Sequence, residues 1–112
     1  VDAVAARVVL EAANHPVTPA ADHRLAAAGV TVLPDILVNA GGVTGSYFEW
    51  TQNIQRFHWS EERFCDELRS RMVGAYREVW HRAAGLDVSL RRAAYAIGIE
   101  RVATASRLRG YL

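Results

Sequence analysis

Short apolar runs near the start of this chain give way to long helical stripes, and that shift divides it into elements. Val8-Val9-Leu10 is apolar, largely β-branched and too short for a helix, which predicts a buried parallel strand near residues 7–11. Ala12 to Val17, with Asn14 and Pro16, reads as a loop. Thr18 then offers a hydroxyl cap, Pro19 a preset first helical position, and Asp22 a negative charge at the positive end of the dipole. That helix is expected over residues 18–28, closed by Gly29. A second strand is expected near 30–33, between Gly29 and Pro34. The order strand, loop, helix, strand is a βαβ unit, and it implies a parallel pair with a right-handed crossover.

Only helices are expected beyond Pro34. The first covers residues 42–57, with Tyr47, Trp50, Ile54 and Phe57 as an apolar stripe spaced by three and four. The second covers 60–84: Ser60 caps it, Glu61 and Glu62 fill its first turn, and Gly85 closes it. Its apolar stripe is Phe64, Leu68, Met72, Tyr76, Val79 and Ala83, while Glu67 with Arg71 and Glu78 with Arg82 have the i,i+4 spacing of helical ion pairs. The third covers 89–109, capped by Ser89 and ended by Gly110, with a small-residue face of Ala93, Ala94, Ile97, Val102 and Ala105. The predicted fold class is α/β and helix-rich, a short βαβ unit followed by three helices. Two strands do not make a stable open sheet alone. The economical explanation is that they complete a sheet whose other strands lie upstream.

At 112 residues the chain is at most one domain, small for an enzyme that grips both a dinucleotide and an amino acid. A hydrophobic content of 51% with formal charge +1 gives no reason to expect nucleic acid as a partner. No apolar run approaches the ~20 residues of a membrane span. The first residues carry Asp2 and Arg7 and lack a basic leader, so no secretory signal is expected. Cys65 is the single cysteine, which excludes an internal disulfide, suits a reducing, cytoplasmic compartment, and predicts a buried structural thiol. All 13 basic residues are arginine, so no lysine nucleophile or lysine base can come from this stretch.

In a parallel α/β sheet, ligands bind beyond the carboxyl ends of the strands. Asn14 and Asn39 lie on the two loops leaving those ends, and each amide can both donate and accept. Asparagine is also common in turns, so either one alone is open to that reading. Gly41-Gly42 opens a helix, where glycines let a ligand approach free N–H groups or simply serve a tight turn. No GxGxxG is present, so this is not a pyrophosphate site. Val43 and Ser46 share a helix face and offer an apolar wall and a hydroxyl, although a serine there also bonds back to its own helix. His15, His23, His58 and His81 have no metal-ligand spacing, and no metal site is expected.

Three segments carry a resemblance: EAANHPVTPAAD from Glu11 to Asp22, PDILVNAGGVTGSYFEWTQN from Pro34 to Asn53, and RRAAYAIGIERV from Arg91 to Val102. Together they resemble the carboxyl-terminal part of glutamate dehydrogenases, within the wider glutamate, leucine, phenylalanine and valine dehydrogenase family, over nearly the whole chain. Gly41 to Val43 with Ser46 to Trp50 is the most specific string, because the sister dehydrogenases keep a similar NAGG but not the SYFEW-x-QN continuation. Ala12 and His15 stand where the family has glycine, and Gly45 where it has a β-branched residue.

The resemblance implies that residues 1–112 form the last part of a Rossmann-like NAD(P)-binding domain. It implies oxidative deamination of L-glutamate to 2-oxoglutarate and ammonia with NAD or NADP, in a homo-oligomer expected to be a hexamer. Asn14 and Asn39 would contact the nicotinamide end of the cofactor. Gly42, Val43 and Ser46 would contact substrate, with Ser46 donating to the side-chain carboxylate. The family's catalytic lysine and aspartate match no residue here, so no catalytic residue is assigned and the segment alone is expected to be inactive. Two other readings stand beside this one: a branched-chain or aromatic amino-acid dehydrogenase, and a stand-alone non-catalytic interaction module.

Overall fold

A computed structural model describes residues 3–111 of the chain; Asp2, named above as interrupting the first apolar stretch, lies outside them. Two strands, β1 (Val8–Leu10) and β2 (Thr31–Leu33), pair in parallel with Val9 opposite Val32. Helix α1 (Pro19–Ala27) connects them, capped by Thr18, whose hydroxyl accepts the Ala21 N–H, with proline in its first turn. It ends where Gly29 takes φ +72°, a left-handed conformation that glycine adopts without a Cβ penalty. A single turn, α2 (Asp35–Val38), follows β2 and runs into α3 (Ala40–Gln55) through Asn39. Helix α4 (Glu61–Leu86) and helix α5 (Leu90–Leu108) complete the chain, capped by Ser60 and Ser89 hydroxyls that accept the Arg63 and Arg92 N–H groups.

The core lies where α2, α4 and α5 meet. Leu37, Val79, Ala83, Leu90, Ala93, Ala94 and Ile97 are its buried members, with Leu33, Ala75 and Val88 packed against them. Ala93 has no exposed surface, so α5 lies close against its neighbours through a small residue. A second, smaller contact joins α3 to the first half of α4, around Phe48. The radius of gyration is 16.8 Å, against about 13 Å for a compact domain of ~100 residues, and the α3–α4 arm accounts for the elongation.

Several expectations are corrected here. Residues 35–41 are not a loop: α2 occupies the start and α3 begins at Ala40, two residues before the expected 42. The Asp35 side chain accepts the Ile36 N–H at 2.8 Å, which helps start that turn directly after Pro34. Helix α4 continues through Gly85 to Leu86 and stops where Asp87 takes a left-handed conformation. The α3 stripe of Tyr47, Trp50, Ile54 and Phe57 is exposed, and the buried aromatic is Phe48. Met72 and Phe64 are only half-buried and Tyr76 is exposed, so the α4 stripe is covered mainly at its carboxyl end. Val102 and Ala105 are exposed, since the packed part of α5 is its first half. Val8 and Leu10 of β1 are exposed as well, because β1 pairs only with β2 among the described residues. Cys65 is an exposed thiol on the outer face of α4, not a buried one. The charged residues of α4 reach across to α5 instead of pairing within the helix. Arg82 forms a two-bond pair with Glu100 at 2.7 and 2.9 Å, and Arg101 donates to Glu78 at 2.5 Å. Arg71 lies over the Phe48 ring, 5.4 Å from its centroid.

Candidate functional site

Parallel pairing puts the carboxyl ends of β1 and β2 side by side, so the chains leaving Leu10 and Leu33 start from adjacent points. Asn14 and Asn39 meet there: Asn39 Nδ2 donates to Asn14 Oδ1 at 2.7 Å. That bond uses one donor hydrogen and one acceptor, leaving the Asn39 carbonyl oxygen and the Asn14 NH2 to face a ligand. A carboxamide, with its own donor and acceptor, matches this remainder, as do ribose hydroxyls.

A charged network lies beneath them, and no local pattern in the sequence announces it. Glu11, the first residue after β1, is 2% exposed. One of its oxygens accepts Arg91 Nη2 at 2.7 Å, and the other accepts the Asp35 backbone N–H at 3.0 Å. Arg91, from the first turn of α5, also donates to both oxygens of Asp22 on α1 at 3.2 and 3.3 Å, and its Nη1 lies 3.7 Å from Asp35 Oδ1. The acceptor bond to Glu11 and the bonds to Asp22 hold Arg91 protonated far above the already high range of arginine, against the effect of burial. Glu11 and Arg91 are 80 residues apart, which is why neither drew attention in the sequence.

Asp35 Oδ2 accepts the His15 N–H at 2.6 Å, and the Asp35 carbonyl accepts the Asn39 N–H at 3.0 Å. The His15 N–H bond, more than any other influence, holds the Asp35 carboxyl below its ordinary 3.8; burial opposes it, while the Ile36 N–H and the Arg91 charge add to it. A depressed carboxylate contributes stability that is full above the ordinary value and lost as pH falls through the folded one. Acid below 3.8 is therefore expected to loosen this corner, and Asp35→Asn to flatten that part of the stability-versus-pH curve. Urea unfolding across the acid range checks it; an unchanged slope in the variant would contradict the assignment.

His15 takes φ +48°, a left-handed conformation that histidine visits at a cost glycine does not incur. In that conformation its backbone N–H is turned toward Asp35.

Gly42, Val43 and Ser46 share one exposed face of α3, and Val43 is 71% exposed. The next turns of that face carry Tyr47 and Trp50, whose rings lie 5.7 Å apart. The aromatic residues expected to pack internally instead extend the face beside Ser46. Gly45 faces the opposite way, and a Cβ there would sit 3.3 Å from Phe64 Cζ. Its lack of a side chain lets α3 approach α4, so Gly45→Val is expected to cost about 1–3 kcal/mol by overpacking despite the higher helix propensity of valine. Thermal unfolding of the variant tests this, and a stabilised Gly45→Val protein would exclude the close contact. Among the described residues no cluster of three His, Cys, Asp or Glu side chains could hold a metal ion, and no helix is long and apolar enough to cross a membrane.

A parallel two-stranded sheet with Asn14 and Asn39 meeting beyond its carboxyl ends, followed by packed helices, makes this a helix-rich α/β segment. Residues 1–110 match the Glutamate/Leucine/Phenylalanine/Valine dehydrogenase family, and the chain belongs to that family. It is 44% identical over 108 residues to the NAD-specific glutamate dehydrogenase of Staphylococcus aureus (strain COL), across 96% of this chain and 26% of that protein. The same figures hold for the homologue from strain MSSA476. Its structure matches glutamate dehydrogenase from Peptoniphilus asaccharolyticus with a TM-score of 0.91 at 38% identity, covering 99% of this chain and 28% of that one. The hetero-hexameric glutamate dehydrogenase from Thermus thermophilus, in its Leu bound form, matches with a TM-score of 0.91 at 37% identity over 95% of this chain and 26% of that one. The chain thus spans about a quarter of the length of these relatives.

Proposed function

We propose that this chain is the carboxyl-terminal part of an NAD(P)-dependent glutamate dehydrogenase. The observation that carries the reading is the Asn14–Asn39 pair at adjacent strand ends, in a chain whose relatives include NAD-specific glutamate dehydrogenases. The reaction is oxidative deamination: a hydride leaves Cα of L-glutamate, and water releases ammonia from the resulting imine to give 2-oxoglutarate. NAD or NADP supplies the hydride acceptor when bound, and the staphylococcal relatives favour NAD. Asn14 and Asn39 orient the carboxamide end of the cofactor from the Rossmann-like side of the cleft. Gly42 and Val43 form an apolar wall for the substrate chain. Ser46 donates a hydrogen bond to its side-chain carboxylate, which selects an acidic amino acid over leucine.

The exposed faces of β1, α3 and α5 add to the reading. Leu10, Trp50, Ile54, Ile99 and Val102 are exposed apolar side chains on those faces, and we read them as packing against the rest of a larger subunit or against other subunits. The assembly read here is a hexamer of this subunit in the cytoplasm, supported by a neighbour from Thermus thermophilus that is a hetero-hexamer. In the full-length enzyme, Ser46→Ala is expected to raise the glutamate KM about tenfold, the equivalent of one hydrogen bond to a charged group, and to leave turnover of leucine unchanged. Steady-state assays with both amino acids test it. An unchanged KM and kcat for glutamate would remove Ser46 from the substrate site.

A further inference from the structure

The half-buried arginine at the start of α5 has no hydrogen bond to either asparagine, yet the segments that carry them are tied to it. Glu11 ends β1 and begins the chain that reaches Asn14 three residues later. Asp35 accepts the N–H of His15, the neighbour of Asn14, and through its carbonyl the N–H of Asn39. Glu11 accepts the Asp35 N–H, and Arg91 binds Glu11 while lying 3.7 Å from Asp35. Asp22 holds the other side of the guanidinium, so the fork is fixed from α1 as well.

We propose that Arg91 is a positioning residue for the cofactor, setting the separation and orientation of Asn14 and Asn39 through Glu11 and Asp35. This rests on the reading of those asparagines as cofactor contacts. The physical requirement is a group that is planar, always charged and able to serve three carboxylates from one place, which a guanidinium meets and an ammonium does not. The arrangement links α5 to the strand ends that carry the two asparagines. A change in the position of α5 would move Glu11 and Asp35 together, and both asparagines with them.

The test uses the full-length enzyme with Arg91→Lys, Asn39→Ala and the double variant, varying dinucleotide and glutamate separately. Lysine keeps a positive charge beside Glu11, so the fold is retained, but it cannot span Glu11, Asp22 and Asp35 together. Arg91→Lys is expected to raise the dinucleotide KM about fivefold, with the glutamate KM within about twofold. Asn39→Ala alone is expected to give about tenfold, and the double variant less than the product of the two single effects, because part of what Arg91 positions is the Asn39 contact already removed. A dinucleotide KM unmoved by Arg91→Lys but raised by Asn39→Ala overturns the positioning role and leaves the cofactor reading standing. Multiplying losses in the double variant overturn it too. A dinucleotide KM unmoved by Asn39→Ala defeats the cofactor reading itself, and the positioning role with it. If Arg91→Lys does not accumulate as folded enzyme, Asp22→Asn carries the same comparison, with about a twofold rise expected and no rise overturning the proposal.

Discussion

Replacing Arg91 with methionine in the full-length enzyme is expected to lower the free energy of unfolding by about 3–5 kcal/mol, far more than loss of any surface charge. Glu11 is the reason. Its side chain is 1% exposed, and Arg91 is the positive charge beside it at 2.7 Å. Methionine fills much of the same space but leaves a buried carboxylate facing apolar atoms. Asp22 and Asp35 lose their shared counter-charge in the same step. The cost lies in the orphaned charge more than in the lost attraction, which sets an internal check. The double variant Arg91→Met, Glu11→Leu is expected to recover part of the loss, short of full recovery because the Asp35 N–H then lacks its acceptor. By contrast, the Arg82–Glu100 pair is solvent-facing, with side chains 35% and 58% exposed, and its removal is expected to cost far less. Urea unfolding of the three variants decides it. An Arg91→Met protein within about 1 kcal/mol of wild type would show that Glu11 does not depend on its partner.

Phe48→Ala is the second large effect, expected at about 3–5 kcal/mol. Phe48 is 2% exposed and holds the α3–α4 arm together almost alone. Phe64 meets it edge-on at 5.6 Å, Trp59 lies 5.4 Å away, and the Arg71 guanidinium covers one face. Truncation would leave a cavity that two helices and the Arg56–Ser60 connection cannot close without moving. The Trp59 backbone N–H donates to the Gln52 side chain at 2.7 Å, which fixes the main chain beside the cavity. Ser46 lies two residues from Phe48, and loss of this contact should therefore also raise the glutamate KM. Phe48→Leu keeps most of the volume and should cost much less, about 1–2 kcal/mol. If Phe48→Ala and Phe48→Leu lost equal stability, the aromatic contacts and not the volume would be the source.

Helix starts were legible because capping is local chemistry. Thr18, Ser60 and Ser89 each present a hydroxyl to an N–H three residues on, and proline or acids in the first turn reinforce two of them. The parallel strand pair was legible from order alone, since a strand–helix–strand sequence of this length has few other solutions. Which face of a helix is covered was not legible. Phe48 and Tyr47 are neighbours of equal apolarity, and only the position of α4 decides that one is enclosed and the other exposed. The same holds for Cys65, whose helix turns it to the outside.

The candidate site divides along the same line. Asn14 and Asn39 stood out because two amides fall on the loops leaving adjacent strand ends, and Ser46 because it lies one helical turn from Gly42. Their meeting, at 2.7 Å, depends on the parallel register of Val9 with Val32. Glu11, Asp22, Asp35 and Arg91 look like ordinary surface charges when read in order along the chain. What the sequence determined by itself is what short-range rules govern: caps, periodicity, turn positions and the family-specific strings. The tertiary structure alone decided which carboxylates are buried, because a charge becomes costly, and therefore partnered, only once folding removes its water. That requirement joins residue 11 to residue 91 across most of the chain, at the root of the segments that carry Asn14 and Asn39.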